Sequence, residues 1–355
     1  MNKLERLCNA VGEIADCAVI TDSVNRRYFT GMKSSAGTLL VFPDGGIFII
    51  DFRYIEKAKN AVKNCEVVLE SGNVYDQINE IFKSHGVKTA AVDSETCTVT
   101  QLNNYKEKLN CEIVSDKKLA QEIRKIRLVK TQDEIDKIIA AQRIAEKGFE
   151  HMLDFIKAGR TEKEIQLELD FYMLSHGAET LSFDTIALSG KNTSLPHGVP
   201  TDKAVENGEF VLLDFGAVVD GYHSDMTRTV CVGQPSDEMK KVYEIVLRAQ
   251  EESLKNLKAG INGFEFDKIA RDIISAEGYG ENFGHSLGHG VGMEIHENPV
   301  ASPRRKDILP ENSIITVEPG IYIEGKFGVR IEDFAVVKEN GCFNMTNAPK
   351  KLISL

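Results

Sequence analysis

Acidic residues interrupt apolar runs at three places in the second half of the sequence, and a further aspartate follows the first of these runs. Asp214 closes the run that begins at Phe210, and Asp225 follows it 11 residues later, while Glu318 and Glu332 lie within two apolar runs near the C-terminus. A buried carboxylate is costly without a partner, and two facing carboxylates repel unless a proton or a cation lies between them. The pattern indicates a shared cation site, although a pair of turn or capping aspartates would explain Asp214 and Asp225 equally well.

Histidines are concentrated in the same half of the chain, where five of the eight fall between residues 197 and 296. His285 and His289 have the spacing of a helical zinc pair, but four glycines between 284 and 292 disfavour a helix there, so we expect a strand and a tight loop. His296-Glu297 lacks the second histidine of H-E-x-x-H, which excludes that single-zinc motif. Any one of these histidines alone is more often a hydrogen-bonded structural residue than a ligand.

The hydrophobic pattern directs one histidine and four carboxylates toward the interior: Asp214, Asp225, His289, Glu318 and Glu332. An oxygen-rich set with one imidazole suits Mn(II), Co(II) or Fe(II) at least as well as Zn(II). Four negative charges balance two divalent ions, so we expect a two-metal centre. From the residues alone, the chain is a metal-dependent hydrolase of unspecified substrate.

A basic segment near residues 124–130 marks a domain boundary, which divides the chain into domains 1–125 and 126–355. The helices and strands that must position the five candidate ligands follow this boundary. The capping boxes Thr131-x-x-Glu134 and Thr161-x-x-Glu164 predict two helices, and further helices are expected at 236–257 and 263–277. From residue 181 the chain is otherwise β-rich. The turn signal Asp220-Gly221 would place Asp214 and Asp225 on neighbouring antiparallel strands.

The first 120 residues alternate short apolar runs with helical periodicity, which predicts a small α/β domain without a chemical motif. Turn residues at 43–46 predict a hairpin over 38–50. The expected strands are 15–21, 38–42, 46–50, 88–93 and 111–114, and the expected helices are near 54–64, 74–84 and 98–108.

The composition and charge of the chain argue against several classes of protein. The 355 residues are 42% hydrophobic and 27% charged, as in a folded globular protein. A net charge of −11 gives no electrostatic footprint for nucleic acid or an anionic membrane, so neither is expected as a partner. Glu5, Glu13 and Asp16 stand where a signal peptide would be apolar, so we expect a cytoplasmic protein. Seven scattered cysteines suggest neither a disulfide framework nor a thiolate zinc site.

Five blocks of the C-terminal half, in this order, resemble the pita-bread metallopeptidase family, specifically its proline-specific branch of aminopeptidase P and prolidase. The blocks are SFDTIALSGKNTSLPHGVPTD (182–202), VLLDFGAVVDGYHSDMTRT (211–229), GHSLGHGVGMEIHENP (284–299), TVEPGIY (316–322) and GVRIED (328–333). The resemblance implies an α/β, creatinase-N-like N-terminal domain and an α+β pita-bread catalytic domain of the creatinase/aminopeptidase type.

The resemblance also implies a role for each metal ligand. Asp214 would chelate one metal, His289 and Glu318 would bind the other, and Asp225 and Glu332 would bridge both. The implied cofactor is a pair of divalent ions, with Mn(II) preferred and Co(II) or Zn(II) as alternatives.

Further roles concern catalysis and the substrate. Glu318 would also accept the proton of the attacking water, His296 would bind the substrate carbonyl and the oxyanion, and His197 would contact the substrate backbone. Phe183, His285, Tyr322 and Arg330 would line or support the substrate pocket, and Arg330 could orient a bridging carboxylate.

The implied activity is removal of the N-terminal residue from peptides with proline in second position. Some prolidases that the sequence resembles carry an arginine four residues after the second histidine to hold the carboxylate of a dipeptide, whereas Val300 stands there and Arg304 or Arg305 would have to compensate. We therefore place an Xaa-Pro aminopeptidase ahead of a strict Xaa-Pro dipeptidase, which remains the alternative. The resemblance further suggests a homodimer.

Three other classes stay open. A non-enzymatic binding module is disfavoured because all five ligand positions are filled. A methionine aminopeptidase usually lacks the large N-terminal domain, and a creatinase-like amidinohydrolase usually lacks the complete ligand set.

Overall fold

The computed structural model describes residues 2–355, and the chain divides into two compact units, the first ending at Arg127 and the second spanning Leu128–Leu355. No helix within the described residues is long and apolar enough to cross a membrane. All seven cysteines are free thiols.

The first unit is built on a six-stranded mixed sheet. Its elements in chain order are α1 (Lys3–Val11), β1 (Cys17–Ile20), α2 (Ser23–Thr30), β2 (Thr38–Phe42), β3 (Gly45–Ile50), α3 (Ile55–Ala61), β4 (Glu66–Leu69), α4 (Val74–His85), β5 (Thr89–Val92), α5 (Val99–Lys108), β6 (Glu112–Val114) and α6 (Lys118–Leu128). The strand order is β4-β3-β2-β1-β5-β6. The predicted hairpin is confirmed, since β2 and β3 pair antiparallel from Thr38↔Ile49 to Phe42↔Gly45.

Four elements of this unit were not predicted from the sequence: α1, α2, β4 and α6. Helix α6 covers most of the basic segment at 124–130, and it buries Leu119, Ile123 and Ile126 on one side. Strand β4 is an edge strand whose partner β3 lies elsewhere in the sequence. The pairing, rather than local alternation, explains why β4 is extended.

The second unit combines four helices with short, mostly antiparallel strands. Its elements are α7 (Gln132–Phe155), α8 (Glu162–Ser175), β7 (Thr180–Leu181), β8 (Ile186–Ser189), β9 (Glu209–Phe215), β10 (Ala217–Val219), β11 (Tyr222–His223), β12 (Met226–Val232), α9 (Asp237–Asn256), α10 (Gly263–Ala276), β13 (Gly288–Gly290), β14 (Glu297–Ala301), β15 (Ile314–Val317), β16 (Gly320–Ile323), β17 (Phe327–Arg330), β18 (Asp333–Lys338) and β19 (Gly341–Asn344). Two 3₁₀ turns lie at Gly190–Ser194 and Gly280–Asn282.

Both predicted capping boxes are present. Thr131 caps α7 and exchanges hydrogen bonds with Glu134, and Thr161 does the same for α8 with Glu164. The predicted turn is also confirmed, because Asp220 has φ of 50° and Gly221 has φ of 83° between β10 and β11. These local signals fix where the helices begin and where the chain reverses.

Two apolar clusters form the core of this unit. One joins α7 and α8 to β9 and β12 through residues such as Phe149, Leu213 and Phe215. The other joins α9 and α10 to β15 and β17 through residues such as Val317 and Val329. Because strand side chains alternate between faces, the neighbours of these core residues along each strand point away from the clusters.

Candidate functional site

The alternation of side chains along three strands places acidic groups on the face opposite the core. Asp214 lies between Leu213 and Phe215 on β9, Glu318 follows Val317 at the end of β15, and Glu332 follows Ile331 between β17 and β18. Asp225 immediately precedes β12, whose Thr227 pairs with Asp214. The four carboxylates line one cavity of about 570 Å³, together with His289.

The five predicted metal ligands lie close together. His289 Nε2 is 3.5 Å from Asp225 Oδ2 and 3.5 Å from Glu318 Oε1. Ligand atoms of Asp225, His289 and Glu332 all lie within 4.8 Å of one another. Asp214 joins them through the same cavity lining. This spacing suits ligands that converge on a shared cation.

The electrostatics of the cluster favour a bound cation. Burial, followed by the charges of neighbouring carboxylates, raises the pKa of Asp225 and Glu332 well above their ordinary values. Burial also raises the pKa of Glu318 to about 8, and it lowers the pKa of His289 to about 4. These pKa shifts favour protonated Asp225, Glu332 and Glu318 and a neutral His289. A divalent ion takes the place of such protons and binds a neutral imidazole.

Three buried carboxylate oxygens have no hydrogen-bond partner among residues 2–355. One is Asp22 Oδ2, in the first unit, and the other two belong to the predicted ligand set. These two are Asp214 Oδ1 and Glu332 Oε1. Burying a hydrogen-bond acceptor without a partner costs free energy. A cation that coordinates these two oxygens would account for their burial. Together with the oxygen-rich donor set, these atoms fit divalent metal.

Two histidines stand at the exposed side of the cavity. His296 immediately precedes β14, and its ring centroid lies 4.4 Å from that of His289 in an edge-on arrangement. His197 lies on the loop after the first 3₁₀ turn, and both side chains are exposed and line the cavity. Phe183 and His285 line the same cavity. The arrangement offers imidazole donors and an aromatic wall to a ligand above the carboxylates.

Comparison with known proteins identifies the family. The sequence matches metallopeptidase family M24 over residues 136–339 and the Creatinase/Prolidase N-terminal domain over residues 1–129. The chain belongs to metallopeptidase family M24. Its fold is the predicted one, an α/β creatinase-type N-terminal domain followed by a pita-bread catalytic domain. Membership of M24 implies a divalent metal, for which Asp225, His289 and Glu332 form a suitable group.

Three relatives are similar over nearly their full lengths. The structure of Xaa-Pro dipeptidase from Bacillus anthracis has a TM-score of 0.95 at 42% identity and covers 99% of each chain. The X-Pro aminopeptidase from Thermotoga maritima has a TM-score of 0.91 at 39% identity, covering 98% of this chain and 100% of its own. The Xaa-Pro dipeptidase of Pyrococcus furiosus is 38% identical over 354 residues, covering 99% of both chains.

In this M24 chain, two threonines that sequence reasoning missed hold two carboxylates of the predicted ligand set. Thr227 Oγ1 donates to Glu332 Oε2 at 2.7 Å, and Thr316 Oγ1 donates to Glu318 Oε1 at 3.1 Å. Thr316 Oγ1 also accepts a hydrogen bond from the backbone N–H of His289 at 2.9 Å. A signal was available, because Thr227 and Thr316 each stand two residues from an acidic residue and so share its strand face.

Arg330 connects the metal site of this M24 chain to the pocket wall. Its guanidinium donates to Asp214 Oδ2 and, at 2.7 Å, to the hydroxyl of Tyr322. It reaches Glu332 only through Thr227, whose Oγ1 accepts from Arg330 Nε at 3.1 Å. The carboxylate that Arg330 orients directly is therefore Asp214, one of the non-bridging ligands in the predicted set.

Tyr322 accepts a hydrogen bond from Arg330 and is itself hydrogen-bonded to His285. Burial, followed by the charge of Arg330, lowers the pKa of His285 to about 4, so its ring is neutral near pH 7. His285 Nδ1 lies 2.8 Å from the carbonyl of Ser286, which fixes the proton on Nδ1 and leaves Nε2 to accept from Tyr322 Oη at 2.9 Å. Tyr322 thus lies behind His285 and supports it.

Among residues 2–355, Arg330 is the only lysine or arginine that lines the cavity, and its guanidinium is engaged by Asp214 and Tyr322. Val300 lies on β14 and pairs with His289 in the strand register. Arg304 and Arg305 are exposed, and Arg305 pairs with Asp307 at 3.1 Å. Neither arginine reaches into the cavity lining to replace the one missing at Val300.

Proposed function

We propose that this M24 chain is an Xaa-Pro aminopeptidase, which removes the first residue from peptides whose second residue is proline. Support comes from family membership and from full-length relatives named Xaa-Pro dipeptidase and X-Pro aminopeptidase. The ligand cluster and the histidines above it supply the groups that such a reaction requires.

The proposed cofactor is a pair of Mn(II) ions, with Co(II) or Zn(II) as alternatives. Asp214 would hold one ion, His289 and Glu318 the other, and Asp225 and Glu332 both. The partnerless oxygens of Asp214 and Glu332 support this assignment, because both are buried and they come from separate parts of the chain, β9 and the link between β17 and β18. Bound there, such ions would supply a lowered pKa for the attacking water and polarisation of the scissile carbonyl.

The chain's own residues would divide the remaining work. Glu318, whose Oε1 is held by Thr316, would accept the proton of the attacking water. His296 would donate a hydrogen bond to the oxygen of the scissile carbonyl, where negative charge develops in the transition state. His197, exposed at the mouth of the cavity, would hold the substrate backbone.

Proline lacks an amide hydrogen and has a restricted φ, so its ring rather than a hydrogen bond must be recognised. Phe183, His285 and His296 line the cavity and would enclose that ring. Because the hydrogen bond from Tyr322 keeps the ring of His285 in one orientation, the wall is formed before the substrate binds.

The preference for longer peptides is supported by Arg330, whose guanidinium is already hydrogen-bonded to Asp214 and Tyr322. A strict dipeptidase must bind a carboxylate directly after proline, and the cavity presents no other lysine or arginine among residues 2–355 for that purpose. The alternative, an Xaa-Pro dipeptidase, is favoured by the names of the Bacillus anthracis and Pyrococcus furiosus relatives.

Initial rates on matched peptides test the proposal. Metal-stripped protein, with and without added Mn(II), is given Ala-Pro, Ala-Pro-Ala and Met-Ala-Ala. We expect Mn-dependent cleavage of Ala-Pro-Ala. Cleavage of Ala-Pro alone would establish the dipeptidase, and cleavage of Met-Ala-Ala in preference to both would overturn proline specificity. Sedimentation of the same sample tests the expected homodimer.

A further inference from the structure

One of the buried carboxylates outside the predicted ligand set is the first residue of α8. Glu162 is 0% exposed. Its Oε1 accepts from the backbone N–H of Ser189 at 2.7 Å, from Ser189 Oγ at 3.1 Å and from Asn192 Nδ2 at 3.0 Å. Its Oε2 accepts from the backbone N–H of Thr201 at 2.9 Å, from Thr201 Oγ1 at 2.7 Å and from Asn192 Nδ2 at 3.2 Å.

These contacts join the two ends of one loop. Ser189 is the last residue of β8, and Thr201 lies 12 residues later, so the two oxygens of one carboxylate hold both ends of the segment between them. That segment, 190–200, is called the His197 loop here because it carries His197. Its outer part is exposed, with Leu195 at 55% and Val199 at 77%. Between the ends, the loop is also held by the buried Thr193, whose Oγ1 accepts from the backbone N–H of Gly328 at 2.7 Å. Glu162 is the group that fixes both ends at once.

A carboxylate is the side chain that this arrangement requires. All the groups that face Glu162 in the hydrogen bonds above are N–H or O–H donors, and an ionised carboxylate only accepts. Its position in the first turn of a helix adds favourable dipole interaction. Lys203 contacts Glu162 only indirectly, through Ser189: its Nζ donates to Ser189 Oγ at 3.1 Å and to Glu209 Oε2 at 2.6 Å.

We propose that Glu162 is a positioning residue that places His197 over the cavity. The inference rests on the proposed function, because the role of His197 in holding the peptide backbone is part of it. The carboxylate does not line the cavity and touches no predicted metal ligand in the contacts above. Its effect on the reaction therefore passes through the His197 loop.

A double-mutant cycle on the metal-saturated full chain tests this. Glu162→Ala, His197→Ala and the double variant are compared with wild type on Ala-Pro-Ala. We expect Glu162→Ala to lower kcat/KM by about 10- to 100-fold, mostly through KM, because small displacements of a positioning group have effects of this size. In the His197→Ala background the same change should have little further effect, since both substitutions remove one interaction.

Two further variants separate positioning from general stability. Glu164→Ala removes the capping box at the same helix end without touching Ser189 or Thr201, so its kcat/KM should match wild type. Glu162→Gln keeps one acceptor oxygen and should give an intermediate effect, which preserves the test if Glu162→Ala does not fold. Bound metal should be unchanged in all of them.

Limited trypsin digestion supplies a measurement that does not depend on activity. Lys191 lies exposed in the His197 loop, and release of the loop ends should speed cleavage there in Glu162→Ala. Additive losses in the double variant, or a Glu162→Ala enzyme with wild-type kcat/KM, would overturn the inference. If wild type cleaves none of the Xaa-Pro peptides, the proposed function fails instead, and trypsin sensitivity alone then decides whether Glu162 holds the loop.

Discussion

The floor of the cavity and its outer wall are held in different ways. The floor consists of Asp214, Asp225, Glu318 and Glu332, which lie on or next to paired strands. The wall includes His197 and His296, which are exposed and lie on loops. Ligands of a metal centre tolerate little displacement, and strands with buried faces provide that rigidity. Residues that meet a substrate must stay accessible, so they project from loops.

Each wall histidine is nevertheless accompanied by a buried carboxylate. Glu162 accepts hydrogen bonds at both ends of the His197 loop, all from uncharged donors. Glu297, the residue after His296, pairs with Lys130 at 2.6 Å, and the two side chains are 9% and 1% exposed. The comparison teaches that accessibility at the tip of a loop is compatible with a fixed position when its base is buried and hydrogen-bonded.

The largest loss of activity is expected when a carboxylate of the floor is replaced. Asp225→Asn or Glu332→Gln removes a charge that both ions share in the proposed centre, so bound Mn(II) should fall from two ions per chain to fewer than one. The value of kcat/KM should fall by more than about 100-fold, since even residues that only support metal ligands contribute 10- to 100-fold. Metal analysis after reconstitution, paired with initial rates, checks this.

Asp220→Asn is the matched control. It makes the same chemical change in the turn between β10 and β11, where Asn tolerates the positive φ. Full activity and full metal content in Asp225→Asn would refute the shared-ion assignment.

Substitution of a wall histidine should lower kcat/KM without reducing the amount of bound metal. His296→Ala removes the proposed donor to the carbonyl oxygen, and we expect kcat/KM to fall by about 100-fold with unchanged metal content. His176→Ala, at the exposed end of α8, serves as the control. If His296→Ala lost metal to the same extent as Asp225→Asn, the division between floor and wall would be wrong.

A smaller effect is expected at the aromatic side of the wall. Phe183→Ala should reduce discrimination between Ala-Pro-Ala and Ala-Ala-Ala by about tenfold, because an apolar contact with the proline ring is lost. The control is Phe171→Ala, since Phe171 is 70% exposed on α8. Unchanged discrimination in Phe183→Ala would remove that residue from the proline pocket.

The floor should also control the stability of metal-free protein between pH 6.5 and 8. The pKa of Glu318 is raised from 4.5 to about 8, so above pH 4.5 the folded chain keeps a proton that the unfolded chain has lost, and stability falls as pH rises. Asp225 and Glu332 shift in the same direction. The pKa values of His285 and His289 are lowered, so these two groups make stability rise with pH, but only below their ordinary pKa of 6.5. Above pH 6.5 they do not offset the decline.

The expected slope is at most about 1.4 kcal/mol per pH unit for each proton concerned. Urea unfolding in EDTA at intervals across this window measures it, and Glu318→Gln should make the slope shallower. Mn-saturated protein should lack the decline, because the ions take the place of the protons. An equal decline with and without metal would contradict the explanation.

The sequence by itself determined the secondary structure near the site and the inward direction of its acidic groups. The caps at Thr131 and Thr161, the Asp220-Gly221 turn and the alternation around Asp214 act between residues close in the chain, so a one-dimensional pattern contains them. The family blocks, all in the C-terminal half, predicted the fold of the catalytic domain, and the alternation of apolar runs with helical periodicity predicted an α/β N-terminal domain. The first-unit elements α2 and β4 escaped prediction because they are short, at eight and four residues, and β4 lacks an alternating apolar pattern.

Only the tertiary structure decided which polar groups meet. Periodicity assigns Arg330 to the same strand face as Glu332, yet its guanidinium binds Asp214, which is 116 residues away. Thr227 and Glu332 are separated by 105 residues, and Glu162 and Thr201 by 39. A sequence pattern specifies the face on which a side chain lies, whereas the choice of partner depends on distance and geometry after the strands have packed.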